Sequence, residues 1–176
     1  MITLSFDKYF IRSFEYNDTA SIVKYANNIE VSRFMRDSFP YPYTKDNAVQ
    51  WINFVKKNYS SLVFAIADEN ELIGGIGAVP QTDVHRFSAE VGFWLGQSHW
   101  NKGIITIALP AFCNYLFTKF EFNRLTANVF DGNEASKKVL EKNGFVLEGT
   151  HRKSVFKENK FVDHYTYGLL KEDFKI

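Results

Sequence analysis

The segment Glu90-Val-Gly-Phe-Trp-Leu-Gly-Gln-Ser-His-Trp-Asn-Lys-Gly-Ile-Ile-Thr106 changes character twice along its length. It begins as a strand, passes through a polar loop holding Gly96 and Gly103, and enters an apolar run of helical character at Ile104. A strand that feeds a helix through such a loop leaves the first helical amides pointing into the loop without intrahelical acceptors. The helix dipole adds partial positive charge at that end and Lys102 adds a full one, a combination suited to a phosphate or pyrophosphate. Glu90 is in register with Gly92 and Trp94, so the three share one side of the strand.

Downstream, the pattern predicts a helix over 104–117, a strand over 125–130, a helix over 134–142, an extended piece at 145–147 and a last strand over 161–170. Strand, helix, strand, helix, strand requires crossover connections and therefore some parallel pairing. Upstream, residues 2–14 read as one opening strand. Asn17, Asp18 and Thr19 offer caps for a helix over 20–29, followed by a short helical piece at 31–35. Phe39-Pro-Tyr-Pro-Tyr43 is an aromatic loop, because each proline disfavours helical geometry in the residue before it. Thr44 caps a helix over 45–58. Strands at 62–67 and 72–79 form a hairpin, and the three glycines of the second suggest a bulge or the close approach of another backbone. A further strand over 87–95 leads into the opening segment. The expected fold is α+β with α/β-type layering in one domain over 1–176: a mixed sheet of about seven strands flanked by about four helices.

The 176 residues carry 21 Lys+Arg against 20 Asp+Glu, a formal charge of +1, which argues against a broad basic face for nucleic acid. A chain of this length buries about 70% of its extended surface, enough for one core. A lone Cys113 cannot form an internal disulfide, no cationic and apolar leader opens the sequence, and no run approaches the ~20 apolar residues that span a bilayer. These features predict a soluble cytoplasmic protein.

With Glu90-Val-Gly-Phe-Trp-Leu95, Trp100-Asn-Lys-Gly-Ile-Ile-Thr106, the run from Asn133 to Gly149, Asp163 and Tyr167-Gly-Leu-Leu170 in this order, the chain resembles the GNAT N-acetyltransferases. Within them it is most similar to the RimJ/RimL type, which includes ribosomal-protein N-terminal acetyltransferases. The resemblance implies a V-splayed sheet with acetyl-CoA in its opening and the pyrophosphate on the amides of Lys102 to Thr106. It places Trp94, Leu95, Trp100, Asn101, Lys102, Gly103, Ile104, Ile105, Thr106, Asn128, Asn133 and Ser136 against the cofactor, and Phe39, Tyr41, Glu90 and Tyr165 against the acceptor. It also implies a small-molecule or peptide amine acceptor and a monomer or homodimer; the charge, the hydropathy and the histidine spacing predict no nucleic-acid partner, no membrane partner and no metal. Two residues depart from the family pattern. Ile105 stands where a smaller residue is usual, so its side chain must point away from the phosphates, and Pro110 falls two turns into the helix, where it predicts a kink.

Acetyl transfer from a thioester to an amine needs a neutral amine, a polarised carbonyl and a proton for the thiolate. Glu90 is the candidate base, directly or through a water, against the alternative of an ordinary strand carboxylate. Backbone amides near Trp94 and Leu95 are candidates for the carbonyl if a bulge leaves them unpaired. In many GNAT enzymes a tyrosine at the position of Leu140 protonates the thiolate; the resemblance here offers Ser136 instead, with Asn133 as a cofactor partner, against plain helix capping for both. The four histidines lack metal-site spacing, although His99 is a minor rival base. Cys113 reads as a small buried hydrophobe, and Phe39, Tyr41, Tyr43, Tyr165 and Tyr167 divide between acceptor wall and packing. Ile105, Pro110 and the missing phenol keep open a second reading, a GNAT-fold module that binds acyl-CoA without turning it over.

Overall fold

The computed structural model describes residues 3–57 and 62–175, and it opens with two strands where one is expected. Strands β1 (Thr3–Phe6) and β2 (Tyr9–Arg12) pair antiparallel around a turn in which Asp7 takes a φ of 50°. Aspartate tolerates this left-handed conformation better than the aromatic and β-branched residues around it. The opening segment therefore folds back on itself; Ile2, its expected first residue, lies outside the described residues.

The other strands are β3 (Leu62–Ala67), β4 (Leu72–Pro80), β5 (Ser88–Leu95), β6 (Arg124–Phe130), β7 (Val146–Lys157) and β8 (Lys160–Leu170). They form one eight-stranded sheet in the order β1-β2-β3-β4-β5-β6-β8-β7. The β5–β6 pair is parallel and the β6–β8 and β7–β8 pairs are antiparallel, so the sheet is mixed. Among the described residues five α-helices accompany it: α1 (Thr19–Ala26), α2 (Ile29–Ser32), α3 (Lys45–Lys57), α4 (Ile104–Lys119) and α5 (Glu134–Lys142).

The boundaries that differ from expectation have local causes. The first helix stops at Ala26 because two asparagines interrupt it. The Asn27 Oδ1 accepts the Tyr43 amide at 3.0 Å, and the Asn28 Oδ1 accepts the Glu30 amide at 2.8 Å, capping α2. Side chains of this type compete with the helical ladder. The short helix thus starts at Ile29 rather than 31. Helix α3 ends at Lys57, and Asn58 lies outside the described residues. Helix α4 runs through Pro110 to Lys119, two residues past its expected end. The largest difference is β7, twelve residues long where only 145–147 read as extended. Most of its side chains are exposed and polar, so it lacks the alternation that marks a half-buried strand.

The chain divides into two compact units, Met1–Ala78 with Phe93–Ile104, and Val79–Gly92 with Ile105–Ile176. In the first, Ile22 and Ala26 of α1 meet Ala48 and Ile52 of α3 around Phe14, Tyr43, Ala65 and Leu72. The spacing of four within each helix puts each pair on one face. Asp18 lies at the start of α1 but does not cap it with its side chain. Its carboxylate is instead held by both guanidinium nitrogens of Arg12, at 2.7 and 2.8 Å, and by the Glu15 amide at 2.8 Å. In the second unit, Leu125, Ala127 and Val129 of β6 and Tyr167 and Leu169 of β8 are buried, and Thr126, Asn128 and Thr166 alternate with them on the opposite face.

Glycines of β4 admit β5 at short range. A Cβ on Gly74 would lie 2.3 Å from the Trp94 carbonyl oxygen and 3.1 Å from the Leu95 Cα, and the Gly96 amide donates to the Ile73 carbonyl at 2.9 Å. The expected bulge is also present: the β3–β4 register shifts so that Ala67 faces Leu72 while Ile66 faces Gly74. Because the clashing atoms are backbone, Gly74→Ala cannot be absorbed by a rotamer change. It should cost about 2–3 kcal/mol, visible as a urea midpoint lowered by about 1 M.

Candidate functional site

The loop between β5 and α4 is tied down within its own unit. The Trp100 indole Nε1 donates to the Leu95 carbonyl at 2.9 Å, and the Asn28 Nδ2 donates to the Gln97 Oε1 at 2.8 Å. His99 packs edge-on against Tyr25, with ring centroids 5.1 Å apart. Burial first and Lys102 second push the His99 imidazole below its ordinary range, which keeps it neutral at physiological pH. Trp94 continues the same wall, with Phe39 edge-on to it at 5.6 Å and Tyr43 next to Phe39 at 5.1 Å. Tyr43 is buried and its phenol is pushed up to about 12, so it is packing; Tyr41 points outward, 53% exposed.

The end of this loop is shaped for close approach. Asn101 and Gly103 both take left-handed backbone, at φ 59° and 72°, on either side of the exposed Lys102. A Cβ on Gly103 would meet nothing within 4 Å, so the space beside Gly103 itself is open. Glycine is needed there for its positive φ. Ile104 and Ile105 are buried, at 2% and 7% exposure, and Thr106 is half-buried.

In the second unit, Glu90 sits half-buried on β5 opposite Thr126. Asn128 lies two residues further along β6 on the same face, and its Oδ1 accepts the Thr166 hydroxyl at 2.8 Å. Asn133 caps α5, accepting the Ser136 amide at 3.2 Å through Oδ1, and Ser136 is half-buried one turn in. Leu140 is fully buried. Tyr165 belongs to the face opposite Glu90: Lys137 of α5 lies 3.8 Å from its ring centroid, and its hydroxyl donates to Asp131 at 3.1 Å. The structure thus gathers Trp94, Leu95, Trp100 and Phe39 in one unit. In the other it gathers Glu90 and Asn128 on one face and Asn133, Ser136 and Tyr165 toward the other.

One cluster escapes a reading of spacing alone. His151 and His164 are cross-strand partners on β7 and β8, stacked with centroids 4.2 Å apart and planes within 6°. Their register follows from β7 extending past His151, and the polar sequence conceals that extension.

The family described as Acetyltransferase (GNAT) domain matches residues 8–146. The chain belongs to the GNAT acetyltransferase family. It is 29% identical to N-acetyltransferase p20 of Bacillus licheniformis over 99% of each chain. It is 32% identical to the ribosomal-protein-serine acetyltransferase of Escherichia coli, over 65% of this chain and 63% of that one. Among solved structures it resembles RimL, a ribosomal-protein alpha-N-protein acetyltransferase in complex with coenzyme A, with a TM-score of 0.85 and 16% identity over 96% and 98% of the two chains. As a GNAT acetyltransferase, the protein has the eight-stranded mixed sheet and helices described above.

No helix among the described residues is long and apolar enough to cross a membrane. Cys113 of α4 is 1% exposed and burial pushes its thiol up to about 12, which leaves it no thiolate to attack with. A thiol reagent such as DTNB should therefore find no reactive group in the native protein at pH 8 and one after denaturation. Rapid labelling of the native protein would count against this burial.

Proposed function

We propose that this GNAT acetyltransferase moves the acetyl group of acetyl-CoA to a primary amine, a peptide N-terminus or a small amine, by direct attack in a ternary complex. The observation that carries the reading is the exposed Gly103 at φ 72° immediately before α4, followed by the buried Ile104 and Ile105. Amides of Lys102 to Thr106 hold the pyrophosphate, with Lys102 adding charge. Trp94, Leu95, Trp100, Asn101, Asn128 and Asn133 complete the cofactor contacts, and Phe39 and Tyr41 the acceptor wall, with Tyr165 a further acceptor contact. A protein amine as acceptor is supported by the similarity to a ribosomal-protein-serine acetyltransferase.

Glu90 takes a proton from the amine, so that the nitrogen lone pair attacks the thioester carbonyl as the carbon–sulfur bond breaks. Amides at Trp94 and Leu95 polarise that carbonyl. Ser136 serves the departing thiolate, which is a good leaving group and needs only a weak donor or water. The absence of a phenol at Leu140 favours this assignment over a tyrosine acid.

Acetyl-CoA should raise the melting temperature whereas NAD should not, because the phosphate-binding turn here has a single Gly103 and lacks the Gly-x-Gly-x-x-Gly run of a dinucleotide site. Gly103→Val, folded but unable to keep this backbone, should weaken acetyl-CoA binding at least tenfold, about 1.4 kcal/mol. Equal stabilisation by both nucleotides would place the phosphate site elsewhere.

Turnover separates the enzyme from a binding module. Glu90→Gln should lower kcat by ~10²–10⁴ at neutral pH with acetyl-CoA affinity nearly constant, and higher pH should recover part of the loss as more amine arrives neutral. Tight acetyl-CoA binding with no thiol released by any amine of a peptide and metabolite panel would favour the binding module.

A further inference from the structure

The stacked histidines carry a chemical assignment that follows from counting hydrogens. The Ser154 hydroxyl donates to the His151 carbonyl oxygen at 2.8 Å, which spends its one hydrogen. At the 2.7 Å contact between Ser154 Oγ and His164 Nδ1, the ring must therefore be the donor. His164 carries its proton on Nδ1, and Nε2 presents a lone pair. The same count applies to its partner: Thr166 donates to Asn128, so at 3.1 Å the His151 Nε2 donates to Thr166 Oγ1. Each ring is thus held in one tautomer by a hydroxyl whose own hydrogen is committed elsewhere.

The position is equally specific. His164 lies opposite Phe130 on β8, and Phe130, Asn128 and Thr126 share the face of β6 that continues to Glu90 on β5. Four polar residues of one unit therefore line one sheet face: Glu90, Asn128, Thr166 and His164, with His151 stacked on the last. The ionisable groups around His164 are His151 on β7, followed there by Arg152 and Lys153, Asp163 beside it on β8, Asp131 at the end of β6, and Glu90 on β5. Asp163 accepts the Lys153 amide at 2.7 Å, and its carbonyl accepts the Asp131 amide at 3.0 Å. Burial and then the charge of His151 hold the His164 imidazole below its ordinary range, and Glu90 acts in the opposite sense.

Resting on the acetyltransfer reading above, we propose that His164 is a second proton acceptor for the amine, working through Nε2 on the face it shares with Glu90, with Ser154 as its positioning residue. An ammonium acceptor must lose two protons for each amide formed. Glu90 takes the first and releases it to solvent, which frees the lone pair for attack. As the carbon–nitrogen bond forms and the carbon–sulfur bond breaks, His164 Nε2 takes the second, which returns through water to the thiolate. A base held below the imidazole range is unprotonated at neutral pH and ready for that transfer.

The test is a set of three variants assayed across pH with an amine that the wild type acetylates. His164→Asn keeps a nitrogen donor for Ser154 and removes Nε2. It should lower kcat/KM by about 10²-fold at pH 7 and abolish the acid limb assigned to the imidazole, while acetyl-CoA still raises the melting temperature as in the wild type. His151→Phe keeps a stacked ring without the charge, so His164 should hold its proton to higher pH and the acid limb should move upward. Glu90→Gln removes the stabilising anion and should move the His164 ring signal, followed by NMR without substrate, to a lower midpoint. His164→Asn with wild-type kcat/KM and an unchanged acid limb overturns the proposal and leaves acetyltransfer standing. A wild type that binds acetyl-CoA but acetylates no amine overturns acetyltransfer itself, and this proposal with it.

Discussion

Strand β5 is constrained differently along its length, and the site residues inherit that difference. Ser88, Ala89 and Glu90 pair in register with Arg124, Leu125 and Thr126, an ordinary parallel ladder. Trp94 and Leu95 instead lie against Gly74 so closely that a single Cβ would collide with their backbone. The ladder fixes which way Glu90 points. The close approach fixes where the strand ends, and hence where the Trp100 indole can reach back to the Leu95 carbonyl. A loop anchored in this way presents Gly103 in a set conformation, and the fold has already met the entropy of ordering it.

Polar side chains near the site do local structural work as well as offering themselves to ligands. Asn133 uses its carbonyl oxygen to cap α5, a contact worth about 1 kcal/mol, and its amide nitrogen is the end left to donate. Thr166 spends its hydrogen on Asn128. Capping and ligand contact are thus compatible roles for a side chain with two ends, and the choice posed by the sequence between them is not exclusive.

The fold was legible wherever burial imposed a period. Helix α5 has its expected limits, the crossover through α4 required the parallel β5–β6 pair that is present, and the β4 glycines offered a bulge or a close approach, of which both are found. What was hidden lay where burial is weak. Asp7 reverses the chain with a left-handed residue that no hydrophobic pattern announces, and β7 is too exposed to alternate. The site divides the same way. The positions of Glu90 on a strand and of Lys102, Gly103 and Asn133 at helix starts are readable because that geometry acts over a few residues. The His151–His164 stack is not, because it depends on a register set across two strands and on bulges between Leu147 and Gly149 and between His151 and Val155.

Those bulges have a further consequence. Strand β7 is the last in the sheet, so among the described residues one side of its backbone has no strand partner to complete the ladder. An extended outer strand of twelve residues is a template on which another chain can zip up its own hydrogen bonds. Here the run is broken where residues between His151 and Val155 leave the register, with Lys153 twisted to φ 50° and Arg152 and Lys153 projecting charge. No long straight stretch of free amides and carbonyls remains. The irregularity that brings Ser154 to His164 therefore also guards the rim of the sheet against fibril-like recruitment of neighbouring molecules.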